Sequence, residues 1–399
     1  MPLDSAPKPY RWIMLALLWL LYLCFGIVAR SIFPLVTPIL ADLELSYSQM
    51  GLILGSWQLT YIFAALVAGT ILDKWGIRKS IVAGALIIGL SASLRFFSSG
   101  FQSMLIAGAL FGLGGPMISI GGPKTISAWF SGRSRGTAMG IYTTGNWVGG
   151  LTALALTNSL VMPLVSQNWR LAFVVYGGVT FSIALLWLLL ARGDGDGETS
   201  SVPGVIDVFV KLIKIKNVRI LLVMGLLAFA IGHGFSSWLP KILEESGMSA
   251  ASAGWAAAIT IAAGIPSILI LPTLVPPRFR GRTIAVFAIM TTVNLVLVMK
   301  VTGIALYVSL ATLGFVSAPF MALLLLILMD SPGVETRYMG SAGGMFFCVA
   351  EIGGFTGPLI MGILVDATGS FMAGAVFLAG LCAAMAGLTV FLTRPMVSN

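Results

Sequence analysis

Gly69-Thr70-Ile71-Leu72-Asp73-Lys74-Trp75-Gly76-Ile77-Arg78-Lys79 is a short charged turn set between two long apolar runs, about 48–72 and 80–99. A run of about 20 apolar residues crosses a bilayer as a helix. The stretch therefore reads as the turn of a helical membrane hairpin. Its bases Lys74, Arg78 and Lys79 hold the turn on the cytoplasmic side. Gly76 allows the tight reversal, Gly69 permits close helix packing, and Asp73 is placed to cap or pair across a cytoplasmic gate.

The same alternation recurs outward in both directions. Hydrophobic residues make up 58% of the 399 positions and charged residues 9%, against about 25% charged in a soluble domain. That composition excludes a soluble enzyme and an intrinsically disordered chain. The runs are continuous rather than alternating, which disfavours a transmembrane β-barrel. The net charge of +9 comes from bases in loops, where it sets topology and implies no nucleic-acid partner. Cys24, Cys348 and Cys382 lie in apolar stretches and form neither a disulfide framework nor a metal site. The first run, from about Trp12, lacks a small-residue cleavage site and reads as a retained span.

Twelve spans are predicted, near 12–37, 48–72, 80–99, 102–126, 137–163, 171–191, 219–239, 249–273, 283–300, 303–328, 340–363 and 370–392. The chain divides into a six-helix half (1–192), a cytoplasmic linker (193–217) that reads as solvated, and a second six-helix half (218–399). With both termini cytoplasmic, 17 of the 23 Lys and Arg fall on that side, as the positive-inside bias requires.

The halves repeat. Ser46 and Gly51 line up with Ser249 and Gly254 at an offset of 203; Gly136, Gly149 and Gly150 line up with Gly340, Gly353 and Gly354 at 204. A parallel duplication of this kind implies a binding site near the midplane between the halves.

The quoted turn resembles the G-x-x-x-D-[RK]-x-G-x-[RK]-[RK] loop of the major facilitator superfamily, with every defining position filled. The resemblance covers the whole chain. It implies an all-α membrane protein of twelve helices in two pseudo-symmetric halves, with Gly69, Asp73, Lys74, Gly76, Arg78 and Lys79 in gating. The second-half loop, Pro276 to Arg282, keeps the bases without an acid. Two patterns of drug/proton antiporters in the same superfamily are missing: Ala109 stands where they carry an Arg in span four, and Asn146 where they carry a Pro in span five. Arg30 through Pro38, Ser46 and Gly51 resemble the anion:cation symporters. Trp238 through Leu243, Gly247, Ser249 and Gly254 resemble the cyanate/nitroimidazole transporter group.

Charges inside the spans carry the chemistry, because each costs about 2.5–3.5 kcal/mol at the bilayer centre. Arg30 suits a planar anion such as a carboxylate; the alternatives are snorkelling or a structural pair. The offset of 203 maps it onto His233, the single histidine, which either shares the ligand and coupling or is a satisfied interior residue. In the superfamily these two spans face each other. Glu351 is either a proton-coupling carboxylate or a paired structural acid. Lys124 reads as snorkelling or as attracting anions on the cytoplasmic side, and Arg95 as snorkelling. Tyr142, Asn146, Trp238 and Phe346 are candidate cavity-lining residues. No catalytic constellation, cofactor motif or metal cluster is present. The expectation is a secondary active transporter of a small organic or inorganic anion in the cell inner (plasma) membrane, working by alternating access as a monomer in the lipid bilayer, with H+ as a candidate coupling ion and the coupling ion itself left open by the sequence. The alternative is an exporter of hydrophobic compounds.

Overall fold

The computed structural model describes residues 9–192, 205–335 and 338–393. Within them, twelve helices are long and apolar enough to cross a membrane, and no strand occurs. Spans one to six are Tyr10–Asp42, Tyr47–Trp75, Ile77–Phe97, Phe101–Trp129, Gly132–Leu164 and Trp169–Leu190. Spans seven to twelve are Lys216–Glu245, Ala250–Leu274, Pro277–Val298, Gly303–Met329, Met339–Thr368 and Phe371–Phe391. Each predicted span has its helix. Helices are the outcome because lipid offers the backbone no hydrogen-bond partner, so each segment satisfies its own amides and carbonyls. Spans one, two, four, five, seven and eleven extend beyond both hydropathy limits, because polar residues at the helix ends keep the same hydrogen-bond ladder.

The described residues of Met1–Leu45, Leu52–Thr199 and Met248–Ala258 make one compact unit; those of Ser46–Gly51, Ser200–Gly247 and Ile259–Asn399 make the other. In the first unit, span one packs chiefly on span five, and span three on spans four and six. In the second, span seven packs on span eleven, and span nine on spans ten and twelve. The same pairs recur at matching places, as the sequence repeat requires.

Two short helix starts change units, and they contain the two copies of the repeated Ser–Gly segment. In the second unit, the Asp366 carboxylate accepts hydrogen bonds from the Tyr47 and Ser48 amides, at 2.9 and 2.8 Å. These amides belong to the first turn of span two, where no intrahelical acceptor exists. In the first unit, Asn158 donates to the Ala250 carbonyl at 3.3 Å.

The described part of the linker is mostly exposed, with Val210, Lys211, Ile213, Lys214 and Lys216 open to solvent. Residues 193–204 lie outside the described residues, as do Lys8, Arg337 and Arg394 from the charge count. From Val205 to Ile213 the linker is helical. Leu212 is buried, and Lys211 bonds Glu335 at 3.0 Å.

Candidate functional site

Span one contains a built-in break. Its first helical segment, Tyr10–Arg30, gives way to a 3-10 turn, Phe33–Leu35. Pro34 has no N–H to return to the Arg30 carbonyl, so the regular ladder ends there. Arg30 consequently sits in the last turn of a helix, where the peptide dipoles favour a cation.

The Arg30 guanidinium turns toward span five. Its Nη1 donates to Asn146 Oδ1 at 2.9 Å and to the Asn146 carbonyl at 3.4 Å. Arginine has only donors, so the amide presents its oxygen. Arg30 is half-buried, and among the described residues no carboxylate forms an ion pair with it. A neutral amide orients this cation without cancelling its charge. That arrangement has the chemistry to hold a planar anion.

His233 occupies the equivalent place on span seven. It is half-buried, with its ring 5.2 Å from that of Phe229. Glu351 on span eleven is buried, and its Oε2 has no hydrogen-bond partner among the described residues.

Three expected lining residues are corrected. Tyr142 is 1% exposed; its hydroxyl donates to the Ile118 carbonyl at 2.8 Å, and its ring stacks on Tyr22 at 4.4 Å. Trp238 is fully buried, donates to the Pro358 carbonyl at 3.0 Å, and lies against Tyr47 and Phe371. Phe346 is fully buried, with its ring edge against Gly225. Each aromatic fills a helix contact, so none offers surface to a solute. Of the proposed ligand-binding set, Arg30, Asn146 and His233 retain exposed surface. Arg95 does not snorkel: it is 3% exposed, its guanidinium 4.8 Å from the Phe173 ring centre.

The quoted turn is also specific in its contacts. Gly76 takes φ +82°, a left-handed value that favours glycine, and starts span three. Asp73 forms an ion pair with Lys124 of span four, so Lys124 is a partner rather than a snorkelling base. Arg78 donates to the Leu188 carbonyl at the end of span six, while Lys74 and Lys79 are exposed. Gly69 supports no close packing: a Cβ there would meet nothing within 4 Å. In the second unit, Arg280 pairs with Asp330 at the end of span ten. The acid missing from the second loop is supplied from another span.

The family model described as Major Facilitator Superfamily matches residues 18–358. The chain belongs to the major facilitator superfamily. Among curated proteins, this superfamily member is 26% identical to a hexuronate transporter of Bacillus subtilis (strain 168), over 93% of this chain and 92% of that one. It is 24% identical to a probable galactarate/D-glucarate transporter of the same organism, over 84% and 81%. Among solved structures, it is similar to a point mutant of the nucleoside transporter NupG, with a TM-score of 0.81 at 14% identity over 95% of this chain and 99% of that one. The superfamily member is a transporter and a multi-pass inner-membrane protein, not an enzyme.

The sequence reading of this transporter missed several polar partners. Tyr22 of span one, eight residues before Arg30, stacks on Tyr142 of span five. Asp330 and Asp366 gave no signal, since each acts on a residue at least 50 positions away. Asp42, which pairs with Arg170 and accepts from Trp169 Nε1 at 3.2 Å, is the same case.

Proposed function

We propose that the chain is a secondary active transporter of small organic anions, with the substrate carboxylate bound by Arg30. The observation that carries this reading is the half-buried guanidinium on span one, oriented by Asn146 and left uncompensated by any carboxylate among the described residues. A guanidinium binds a carboxylate through two parallel N–H···O bonds. The relatives point the same way: their names specify hexuronate, galactarate/D-glucarate and, for a 23%-identical protein of Cupriavidus necator, sulfoacetate. All of these compounds carry a carboxylate.

His233 is the second ligand-facing residue, at the place equivalent to Arg30. Glu351 is the proton-coupling group, because it is an acid within a span whose Oε2 has no hydrogen-bond partner among the described residues. The Asp73–Lys79 turn acts in gating. The protein works as a monomer by alternating access, with residues 1–192 and 218–399 as its two halves, residues 193–217 as the linker, and both termini in the cytoplasm.

The test is a thermal-shift screen of the purified protein against galacturonate, glucarate, sulfoacetate, lipophilic cations and neutral drugs. A ligand of the native state raises the apparent melting temperature by mass action. Stabilisation by the anions, lost in Arg30→Ala, is expected. Stabilisation by bulky apolar compounds alone overturns the reading in favour of an exporter.

A further inference from the structure

Arg30 would not keep its present position on an ordinary helix surface. Its aliphatic stem lies flat on span five where Gly150 leaves a gap. A Cβ at Gly150 would stand 2.6 Å from Arg30 Cδ, 2.9 Å from Nε and 3.0 Å from Nη1. Carbon atoms in contact sit about 3.5–4.0 Å apart, so even one methyl group displaces the side chain. Four residues earlier on the same helix face, Asn146 takes the guanidinium end through Nη1. With Oδ1 committed to the arginine, only the Nδ2 donors of the amide remain. Among the described residues they have no partner, and Asn146 is half-buried.

We infer that Gly150 and Asn146 are positioning residues that together seat the Arg30 guanidinium, leaving guanidinium and amide N–H donors for an anion. The inference rests on the anion reading above and adds to it the residues that determine where the cation stands. Gly150 sets the height of the stem above span five. Asn146 anchors one end of the guanidinium through Nη1 and contributes N–H groups beside it. An acid at position 146 would hold the cation equally well yet neutralise it. The neutral amide is therefore the part of the seat that keeps the site selective for anions.

The experiment is titration calorimetry on the purified full-length protein, with D-galacturonate, D-glucarate and sulfoacetate as probes. The variants are Gly150→Ala, Asn146→Asp, Arg30→Ala, Arg30→Lys and Arg30→Lys with Gly150→Ala. Gly150→Ala is expected to weaken binding about tenfold in the parent. In the Arg30→Lys background it should add no more than about twofold, since coupled residues are non-additive and lysine has no guanidinium plane to displace. Asn146→Asp, nearly isosteric, is expected to lose binding by about tenfold or more. Its unliganded melting temperature should stay unchanged or rise, a separation that mere structural damage does not produce.

Equal weakening by Gly150→Ala in both backgrounds overturns the seat, as does parent-like binding in Gly150→Ala and Asn146→Asp when Arg30→Ala has lost it. Binding retained in Arg30→Ala overturns instead the anion reading on which the seat rests. Failure of all three probes to bind the parent protein overturns both.

Discussion

Span one against span five, and span seven against span eleven, are two copies of one design with different chemistry. The framework is the same in both. Gly149 approaches the Leu23 carbonyl, and Gly353, its equivalent, approaches the Leu226 carbonyl, which is the equivalent of Leu23. In each case a Cβ would overlap the facing backbone, so small residues fix how closely the helices pack. The polar positions differ. Arg30 corresponds to His233, Pro34 to Ser237, Asn146 to Ala350 and Trp147 to Glu351. Pro34 interrupts its helix after Arg30, whereas Ser237 donates to the His233 carbonyl at 2.6 Å and its helix continues. One copy thus presents an oriented cation and the other buries an acid. Duplication preserved what packing needs and left the charged positions free to diverge.

The largest effect is expected from breaking the shared framework. Gly149→Val pushes a branched side chain into the Leu23 carbonyl, and overpacking of this kind costs about 1–3 kcal/mol or more. Folded monodisperse protein should be lost on size-exclusion chromatography, and Gly353→Val should behave alike. If only one variant folds normally, the two contacts are not equivalent; if both do, the glycines do not set the packing.

Next comes the chemistry peculiar to the first copy. Arg30→Ala removes about two charge-assisted hydrogen bonds, each contributing about 1.5–3 kcal/mol, so anion affinity should fall about 100-fold or more. Arg30→Lys should recover part of it, because an ammonium keeps the charge without the bidentate fork. Titration with galacturonate measures both.

The acid of the second copy is tested by Glu351→Gln. Uptake into proteoliposomes should no longer be accelerated by an acidic exterior, while exchange of labelled for unlabelled substrate continues. Unchanged proton-driven uptake removes Glu351 from coupling.

The smallest effect belongs to the two loop ion pairs. In the first unit the acid is on the turn and the base on span four, as Asp73 with Lys124; in the second the base is on the loop and the acid on span ten, as Arg280 with Asp330. The pairs are partly exposed, and such pairs contribute about 0–1 kcal/mol. Asp73→Asn and Asp330→Asn should each change the melting temperature by only a few degrees. The double exchange Asp73→Lys with Lys124→Asp, which gives the first unit the polarity of the second, should restore what Asp73→Lys alone removes. No restoration would show that Asp73 acts through something other than Lys124.

The fold was legible because its cause is local. Each span announces itself by an uninterrupted apolar run, and the turn at Asp73–Lys79 by its charges. The repeat was legible too: the aligned Ser46–Gly51 and Ser249–Gly254 segments contain the helix starts that change units. The site was only half legible. Arg30, His233 and Glu351 stood out as polar residues in lipid-spanning helices, whereas Tyr142, Trp238 and Phe346 carried no mark separating a lining ring from a packed one. Burial depends on what a neighbouring helix places opposite, and hydropathy does not encode that.

The sequence by itself determined the membrane-spanning helices, their number, the duplication and the few charges placed where lipid tolerates none, because helix formation in a bilayer is decided segment by segment. Only the tertiary structure decided which partners those charges meet. It turned Asn146 toward Arg30, supplied Asp330 to a loop without an acid and set Asp366 on the first amides of span two. It also gave Gly150 its meaning as the gap beneath an arginine stem. These outcomes depend on the separation and rotation of packed helices, to which residues far apart in the chain contribute together.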